Sequence, residues 1–109
     1  MHRSLIVARM DPENRDAVRQ IFAESDATEL PLMIGVTART LFRFHDLYLH
    51  LVEADDDIKS RLYQARSHPL YHDINTRLTS YVRPYDPGWQ EPADAMAQPF
   101  YQWTRSGAA

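Results

Sequence analysis

The spacing of apolar residues changes along the chain, and each spacing predicts a different element. Residues 4–10 are apolar at successive positions, as in a strand buried on both faces. Helical spacing over residues 12–25 predicts a helix, and residues 26–31 are expected to form the loop after it. Helical spacing returns over residues 56–66 and from residue 69 to just before Pro84, and the aromatic residues 99–103 predict a last strand.

The central region, residues 36–53, has the two-residue period of β-strands and predicts a hairpin. A two-residue turn at positions 45 and 46 sets its register. That register puts a nearly all-apolar set of side chains on one face: Thr40, Phe42, Phe44, Leu47, Leu49 and Leu51. The other face carries a half-polar set: Arg39, Leu41, Arg43, Tyr48, His50 and Val52.

The predicted order is strand, helix, two strands, a pair of helices and a strand, which is typical of an α+β, ferredoxin-like split βαβ fold with an antiparallel sheet. Helices are expected to cover one face of the sheet. The opposite face is expected to hold Leu41, Tyr48 and Val52, and it is too apolar to be left in water. The sheet of a second copy is the simplest cover, although a terminal segment could fill part of the space, so we expect a homodimer with a cleft between two sheets.

Composition narrows the classes of function. A chain of 109 residues suffices for one core, so residues 1–109 are expected to form a single domain. The absence of cysteine excludes disulfides, thiolate metal sites and cysteine nucleophiles. The net charge of -3 offers no basic stripe to nucleic acid, and no apolar stretch has the length of a signal peptide or a membrane span. We therefore expect a cytoplasmic protein with no nucleic-acid or membrane partner.

The half-polar face holds the best candidate site. Arg39 and His50 would lie diagonally on neighbouring strands, about 7–8 Å apart, so that both side chains could touch one ligand. Histidine exchanges protons near neutral pH, and arginine can hold an enolate or phenolate oxygen, so the pair could assist carbon–carbon bond formation. The alternative is structural: an interface histidine and a sheet arginine paired with carboxylates.

Residues at the rim of this face are further candidates for the site. Ser25 and Asp26 end the first predicted helix and could bring a carboxylate close to His50, where it would raise the basicity of the imidazole, or they could be ordinary turn residues. Arg43 and Tyr48 would face each other near the hairpin turn. They could bind the far end of a flat substrate or simply pair at the rim.

Aromatic and imidazole side chains in the second half of the chain also have two interpretations each. Trp89, Tyr101 and Trp103 could stack on a polycyclic ligand, or they could be core or dimer contacts. His68 and His72 have the spacing of a zinc chelate, but His68 stands at a helix boundary and no third ligand is evident nearby. We therefore expect no metal site.

Three segments carry a specific resemblance to a known family. They are the ungapped string TELPLMIGVTARTLFRFHDLYLHLVEADDDIKSRLYQARSHPLYHDIN at residues 28–75, ARMDP at residues 8–12 and FYQW at residues 100–103. These segments resemble the tetracenomycin-type aromatic polyketide cyclases of actinomycetes. The resemblance implies a fold of the dimeric α/β-barrel type. It also implies an aldol-type ring closure, with dehydration and aromatisation, on a partly cyclised poly-β-ketone, without metal, flavin or nicotinamide.

The resemblance also implies roles for single residues. Arg39 and His50 match positions regarded as acid/base and anion-holding groups of the pocket, and Asp26 matches an acidic pocket position. Where the tetracenomycin enzyme has a histidine directly before that aspartate, this chain has Ser25, so a second imidazole is absent there. The resulting hypothesis is that His50 shuttles a proton, Arg39 stabilises an oxyanion and Asp26 orients or tunes the histidine.

Two other functions compete with the cyclase. A cofactor-independent monooxygenase could oxidise an anthrone to a quinone in the same kind of pocket. A non-catalytic subunit could bind the polyketide intermediate in contact with synthase components. Oxygen consumption would identify the first, and binding without any change in rate would identify the second. The sequence leaves open which ring is closed and whether the product is an antibiotic or a spore pigment.

Overall fold

Four strands and four α-helices make up the computed structural model, which describes residues 2–90 and 92–105. The strands are β1 (His2–Met10), β2 (Val36–Phe44), β3 (Leu47–Ala54) and β4 (Val82–Pro84). The helices are α1 (Arg15–Asp26), α2 (Leu30–Ile34), α3 (Lys59–Ala65) and α4 (Pro69–Leu78). A 3₁₀ turn at Pro12–Asn14 precedes α1, and another spans Pro92–Ala95. None of the helices in the described ranges is long and apolar enough to cross a membrane.

The sheet has the strand order β2-β3-β1-β4, and all of its pairs are antiparallel. β1 and β2 are thus parallel to each other with β3 between them, which is the split βαβ arrangement. The predicted α+β, ferredoxin-like fold is therefore confirmed.

The β2–β3 hairpin has the predicted register. His45 and Asp46 form its two-residue turn, and Phe44 lies opposite Leu47. Leu41 lies opposite His50, which puts Arg39 on the diagonal from that histidine. His45 has a φ of 55°, the left-handed conformation that a tight hairpin turn needs at its first residue.

The face of the sheet that the helices cover is the half-polar one, opposite to the prediction. In β3 the buried side chains are Tyr48, His50, Val52 and Ala54. All of them but His50 belong to the same hydrophobic core as Val18 and Phe22 of α1 and Ile74 of α4. The nearly all-apolar face stays open in the single chain, where Phe42 and Phe44 are 50% and 62% exposed. The half-polar face can be buried because its polar side chains bind one another, as described below, so few polar groups lack a partner.

Two short elements, α2 and β4, are not predicted from the sequence. Helix α2 lies where the loop was expected to end, with the Thr28 hydroxyl accepting from Leu30 N at 3.2 Å before it and Gly35 at a φ of 88° after it. Strand β4 includes Pro84, whereas the sequence predicts a helix that ends just before this proline. A proline is tolerated there because β4 is an edge strand.

The predicted last strand at residues 99–103 is wrong. β4 and the bridge between Ile6 and Met96 occupy the free edge of β1, and the Ala97 amide donates to the Leu5 carbonyl at 2.7 Å. The aromatic residues that follow lie in no strand, and Phe100 is fully exposed.

Candidate active site

A cavity of about 430 Å³ lies between the half-polar face of the sheet and the helices that cover it. Apolar side chains form most of its wall, among them Phe22 of α1, Leu30 of α2, Ile74 of α4 and Trp89. Arg39, Tyr48 and His50 form the floor. The cavity that holds Arg39 and His50 is thus built within one chain, and not between two subunits as expected.

Asp26 and Arg39 form a two-point ion pair at the edge of the cavity. Arg39 Nη2 donates to Asp26 Oδ1 at 2.8 Å, and Arg39 Nε lies 3.1 and 3.0 Å from the two carboxylate oxygens. Asp26 is the last residue of α1, where the helix dipole disfavours a negative charge, so the guanidinium offsets an unfavourable position. The guanidinium also lies 4.8 Å from the centre of the Phe22 ring. These contacts hold Arg39 in one orientation.

Hydrogen-bond chemistry fixes the tautomer of His50. Arg39 Nη1 lies 2.8 Å from His50 Nε2, and because a guanidinium can only donate, Nε2 must accept. The ring proton is therefore on Nδ1, which donates to Tyr48 Oη at 3.1 Å. The hydroxyl hydrogen of Tyr48 then has no protein acceptor in the described part of the chain, so it can be donated to a molecule in the cavity.

The surroundings keep both His50 and Tyr48 neutral. Burial, and then the positive charge of Arg39, lower the pKa of His50 from 6.5 to about 3. Burial raises the pKa of Tyr48 well above its usual value of 10, although the charge of Arg39 acts in the opposite direction. The expectation that a carboxylate would raise the basicity of His50 is wrong, because Asp26 bonds to Arg39 and the guanidinium stands between the two.

Known proteins resemble this chain in sequence and in fold. The sequence model of the family described as Polyketide synthesis cyclase matches residues 2–104. The chain belongs to this family of polyketide cyclases.

The cyclase has close relatives in Streptomyces. It is 58% identical over 103 residues to tetracenomycin F2 cyclase of Streptomyces glaucescens, a match that covers 94% of each chain. It is 43% identical over 106 residues to the polyketide synthase CurG of Streptomyces cyaneus, covering 96% of this chain and 99% of that protein. The solved structure of the tetracenomycin F2 cyclase, described as a type-II polyketide cyclase, matches with a TM-score of 0.90 at 57% identity, over 96% of this chain and 99% of that chain.

These matches confirm the family, the assignment as an aromatic polyketide cyclase and the fold of the dimeric α/β-barrel type. The cyclase is therefore an enzyme that acts in polyketide biosynthesis.

The structure brings together six of the residues chosen from the sequence. Five of them line the cavity of the cyclase, Ser25, Arg39, Tyr48, His50 and Trp89, and Asp26 joins them through Arg39. Ser25 is half-buried one residue before Asp26, at the end of α1.

Three other chosen residues lie elsewhere. Arg43 is exposed near the hairpin turn, where Nη1 lies 3.5 Å from the His45 carbonyl. Tyr101 lies on the opposite side of the sheet, in a hollow with Leu5 and Leu51, and Trp103 is 70% exposed and lines neither space. The structure thus separates them from the cavity of the same chain, because the aromatic tail runs along the outer side of the sheet.

One wall of the cavity, formed by α4 and the end of α3, was not predicted from the sequence. Arg66, Tyr71 and Asn75 line this wall. The spacing of Tyr71 and Asn75, four positions apart, puts them on one side of a helix and could have suggested a polar wall. The two histidines near this wall are not placed as a chelate: His68 Nδ1 accepts from Leu70 N at 3.1 Å and caps α4. Within residues 2–90 and 92–105, no group of three or more potential ligands is placed to hold a metal ion.

Proposed function

We propose that the cyclase closes a ring of a partly cyclised aromatic poly-β-ketone by an aldol-type addition, and that loss of water then gives an aromatic ring. The observation that supports this best is a largely apolar cavity with a hydrogen-bonded chain of Arg39, His50 and Tyr48 at its floor. Its volume of about 430 Å³ lies within the range of small-molecule sites, about 300–1,000 Å³.

Positioning supplies most of the acceleration in this proposal. A methylene between two carbonyl groups is already acidic, so the demand on a protein base is modest. The apolar wall folds the polyketone so that such a methylene carbon meets a carbonyl carbon, and the two react as neighbours in one complex. The new bond joins these carbons, and the proton lost by the methylene balances the charge that develops on the carbonyl oxygen.

Tyr48 is the group that meets this developing oxyanion. Its hydroxyl hydrogen is free of the protein and donates to the carbonyl oxygen of the substrate. His50 holds the Tyr48 oxygen through Nδ1–H, and Arg39 fixes the tautomer of His50. Because both ring nitrogens of His50 are engaged in hydrogen bonds, His50 is not free to shuttle a proton as expected from the sequence. Its role in this arrangement is to position Tyr48. The hydroxyl formed by the addition leaves as water together with a neighbouring hydrogen, which completes the aromatic ring.

The proposal also covers the oligomeric state of the cyclase, the source of its substrate and the use of its product. The open apolar face of the sheet, with Phe42 and Phe44, favours a homodimer in which two sheets cover each other. The substrate would come from polyketide synthase components in the cytoplasm, and the product would be a precursor of an antibiotic or a spore pigment.

The experiment that tests the function is anaerobic incubation of metal-stripped protein with a partly cyclised aromatic polyketide. Mass spectrometry and absorbance follow the products. Faster loss of water than in the protein-free control supports the cyclase. A reaction that requires oxygen and adds its mass would replace the proposal with a monooxygenase. Binding without acceleration would leave only an accessory role.

A further inference from the structure

The charged residues that line the cavity are all positive. Arg39, Arg66 and Arg83 line it, and no described carboxylate does, although the protein as a whole carries a net charge of -3. A cavity whose sign of charge is opposite to that of the whole protein concentrates anions. This polarity points to a ligand that carries a negative charge.

Two of the three arginines already have carboxylate partners. Arg39 is held at two points by Asp26, and Arg83 Nη2 lies 3.7 Å from Asp11 Oδ1. Arg66 differs from them, since no carboxylate of the described residues lies within 4.0 Å of its guanidinium. The contact that Arg66 makes is with an aromatic ring, the centre of the Tyr63 ring being 5.4 Å from Cζ. Its hydrogen-bond donors are therefore available to a ligand.

Polar side chains on α4 complete a set of donors beside Arg66. Tyr71 and Asn75 are four residues apart on this helix and line the same wall. Tyr71 lies close enough to Arg66 for that charge to act on its hydroxyl: burial raises the pKa of Tyr71, and Arg66 lowers it. A guanidinium, a hydroxyl and a carboxamide together match the two oxygens of a carboxylate.

We propose that Arg66, with Tyr71 and Asn75, forms a subsite for a carboxylate on the substrate. The inference rests on the proposed function, because it concerns the same polyketide in the same cavity. The carboxylate at α4 and the reacting carbonyl at Tyr48 fix two points of a rigid aromatic skeleton. Two fixed points set the orientation of the skeleton, so the subsite helps to select which ring closes.

Two ligands that do not react, and that differ in charge at one group, test the subsite separately from the reaction. Anthraquinone-2-carboxylate and anthraquinone-2-carboxamide have the same flat skeleton and differ in charge. Calorimetric titration of the purified protein at pH 7 should show a preference of about tenfold for the carboxylate, the size of one good charge-assisted hydrogen bond. Arg66→Met should remove this preference, because binding of the carboxylate should weaken about tenfold more than binding of the carboxamide. Added salt should reduce the preference of the wild-type protein.

Arg83→Met is the matched control, since Arg83 also lines the cavity but has Asp11 as its partner. The inference predicts that this variant keeps the preference. It is overturned if the wild-type protein shows no preference, if Arg66→Met retains it, or if Arg83→Met removes it. Neither ligand reacts, so the binding result does not depend on whether the protein catalyses the proposed cyclisation. In the same way, the turnover result does not depend on whether the protein prefers the carboxylate.

Discussion

His50 is a buried imidazole with both ring nitrogens engaged, and its protonation would set a new N–H against the N–H of Arg39. Above pH 6.5 the imidazole is neutral in the folded and the unfolded chain alike. Below that pH the unfolded chain takes up a proton that the folded chain refuses until its own pKa of about 3 is reached. The free energy of unfolding should therefore fall as the pH is lowered through this window, by up to about 1.4 kcal/mol per pH unit.

The measurement is the urea midpoint of unfolding at a series of pH values for the wild-type protein and for His50→Gln. The other groups titrate equally in both proteins, so the difference between the curves isolates His50. The variant should lose stability less steeply below pH 6.5. His72→Gln, which changes an exposed histidine, should follow the wild-type curve. Parallel curves for the wild-type protein and His50→Gln would mean that the buried imidazole takes up its proton while folded.

Tyr48 offers a test of the proposed oxyanion contact. Tyr48→Phe removes one hydroxyl and keeps the ring, so the cavity retains its shape. We expect kcat to fall by about 100-fold, as when one oxyanion donor is removed from other enzymes, with little change in KM. Stability should fall by only about 1 kcal/mol, because His50 Nδ1–H loses its acceptor. Tyr85→Phe changes a tyrosine that does not line the cavity and serves as the control. Unchanged kcat in Tyr48→Phe would remove this residue from the mechanism.

At the scale of elements, the β2–β3 hairpin positions the site, because its register puts Arg39 on the diagonal from His50. The register depends on the turn, where His45 has a φ of 55°. A β-branched residue tolerates this conformation poorly, so His45→Val should lower the free energy of unfolding by about 1–2 kcal/mol. His45→Gly should be tolerated, since glycine has no Cβ to clash. Chemical denaturation of both variants is the measurement, and equal stabilities would show that the turn is not strained.

The hairpin also shows what the sequence could predict. Alternation with a period of two and a two-residue turn determine which residues face each other, so the pairing of Arg43 with Tyr48 follows directly. Alternation does not say which face meets the helices. Hydrophobicity favoured the face with Phe42 and Phe44, whereas the helices cover the face with His50.

The helices cover the half-polar face because its polar side chains form hydrogen bonds with one another, which cannot be read from the sequence. The bonds from Arg39 to His50 and from His50 to Tyr48 satisfy polar groups that would otherwise oppose burial. The prediction that Tyr101 and Trp103 belong to a strand failed for a related reason. Their aromatic character indicates a strand, but β4 already takes the second edge of β1, where the fourth strand of this fold pairs.

At the scale of the whole molecule, the outer face of the sheet is an apolar surface that the described part of the chain leaves largely exposed. Phe42 and Phe44 are half or more exposed on it, and the hollow beside residues 97–101 covers only the part around Leu5 and Leu51. Exposed apolar area of this kind is a usual mark of association between chains. The cavity, by contrast, is lined by elements of a single chain on the other face. Association and the chemistry of the site therefore depend on opposite faces of one sheet.

Because the proposed interface and the cavity lie on opposite faces of the sheet, a substitution that breaks the dimer should leave the cavity intact. Phe44→Glu places a charge on the proposed interface, where burial without a partner is costly. It should shift the protein from dimer to monomer in sedimentation velocity at micromolar concentration. Leu32→Glu is the matched control, because Leu32 is 83% exposed on α2, on the side of the helices. The monomeric variant should still bind the flat ligands, since Arg39, Tyr48 and His50 remain in place. A monomeric wild-type protein would refute the dimer, and a dimeric Phe44→Glu would move the interface to another face. Loss of ligand binding on dissociation would show that the partner supports the cavity through the sheet that the two sites share.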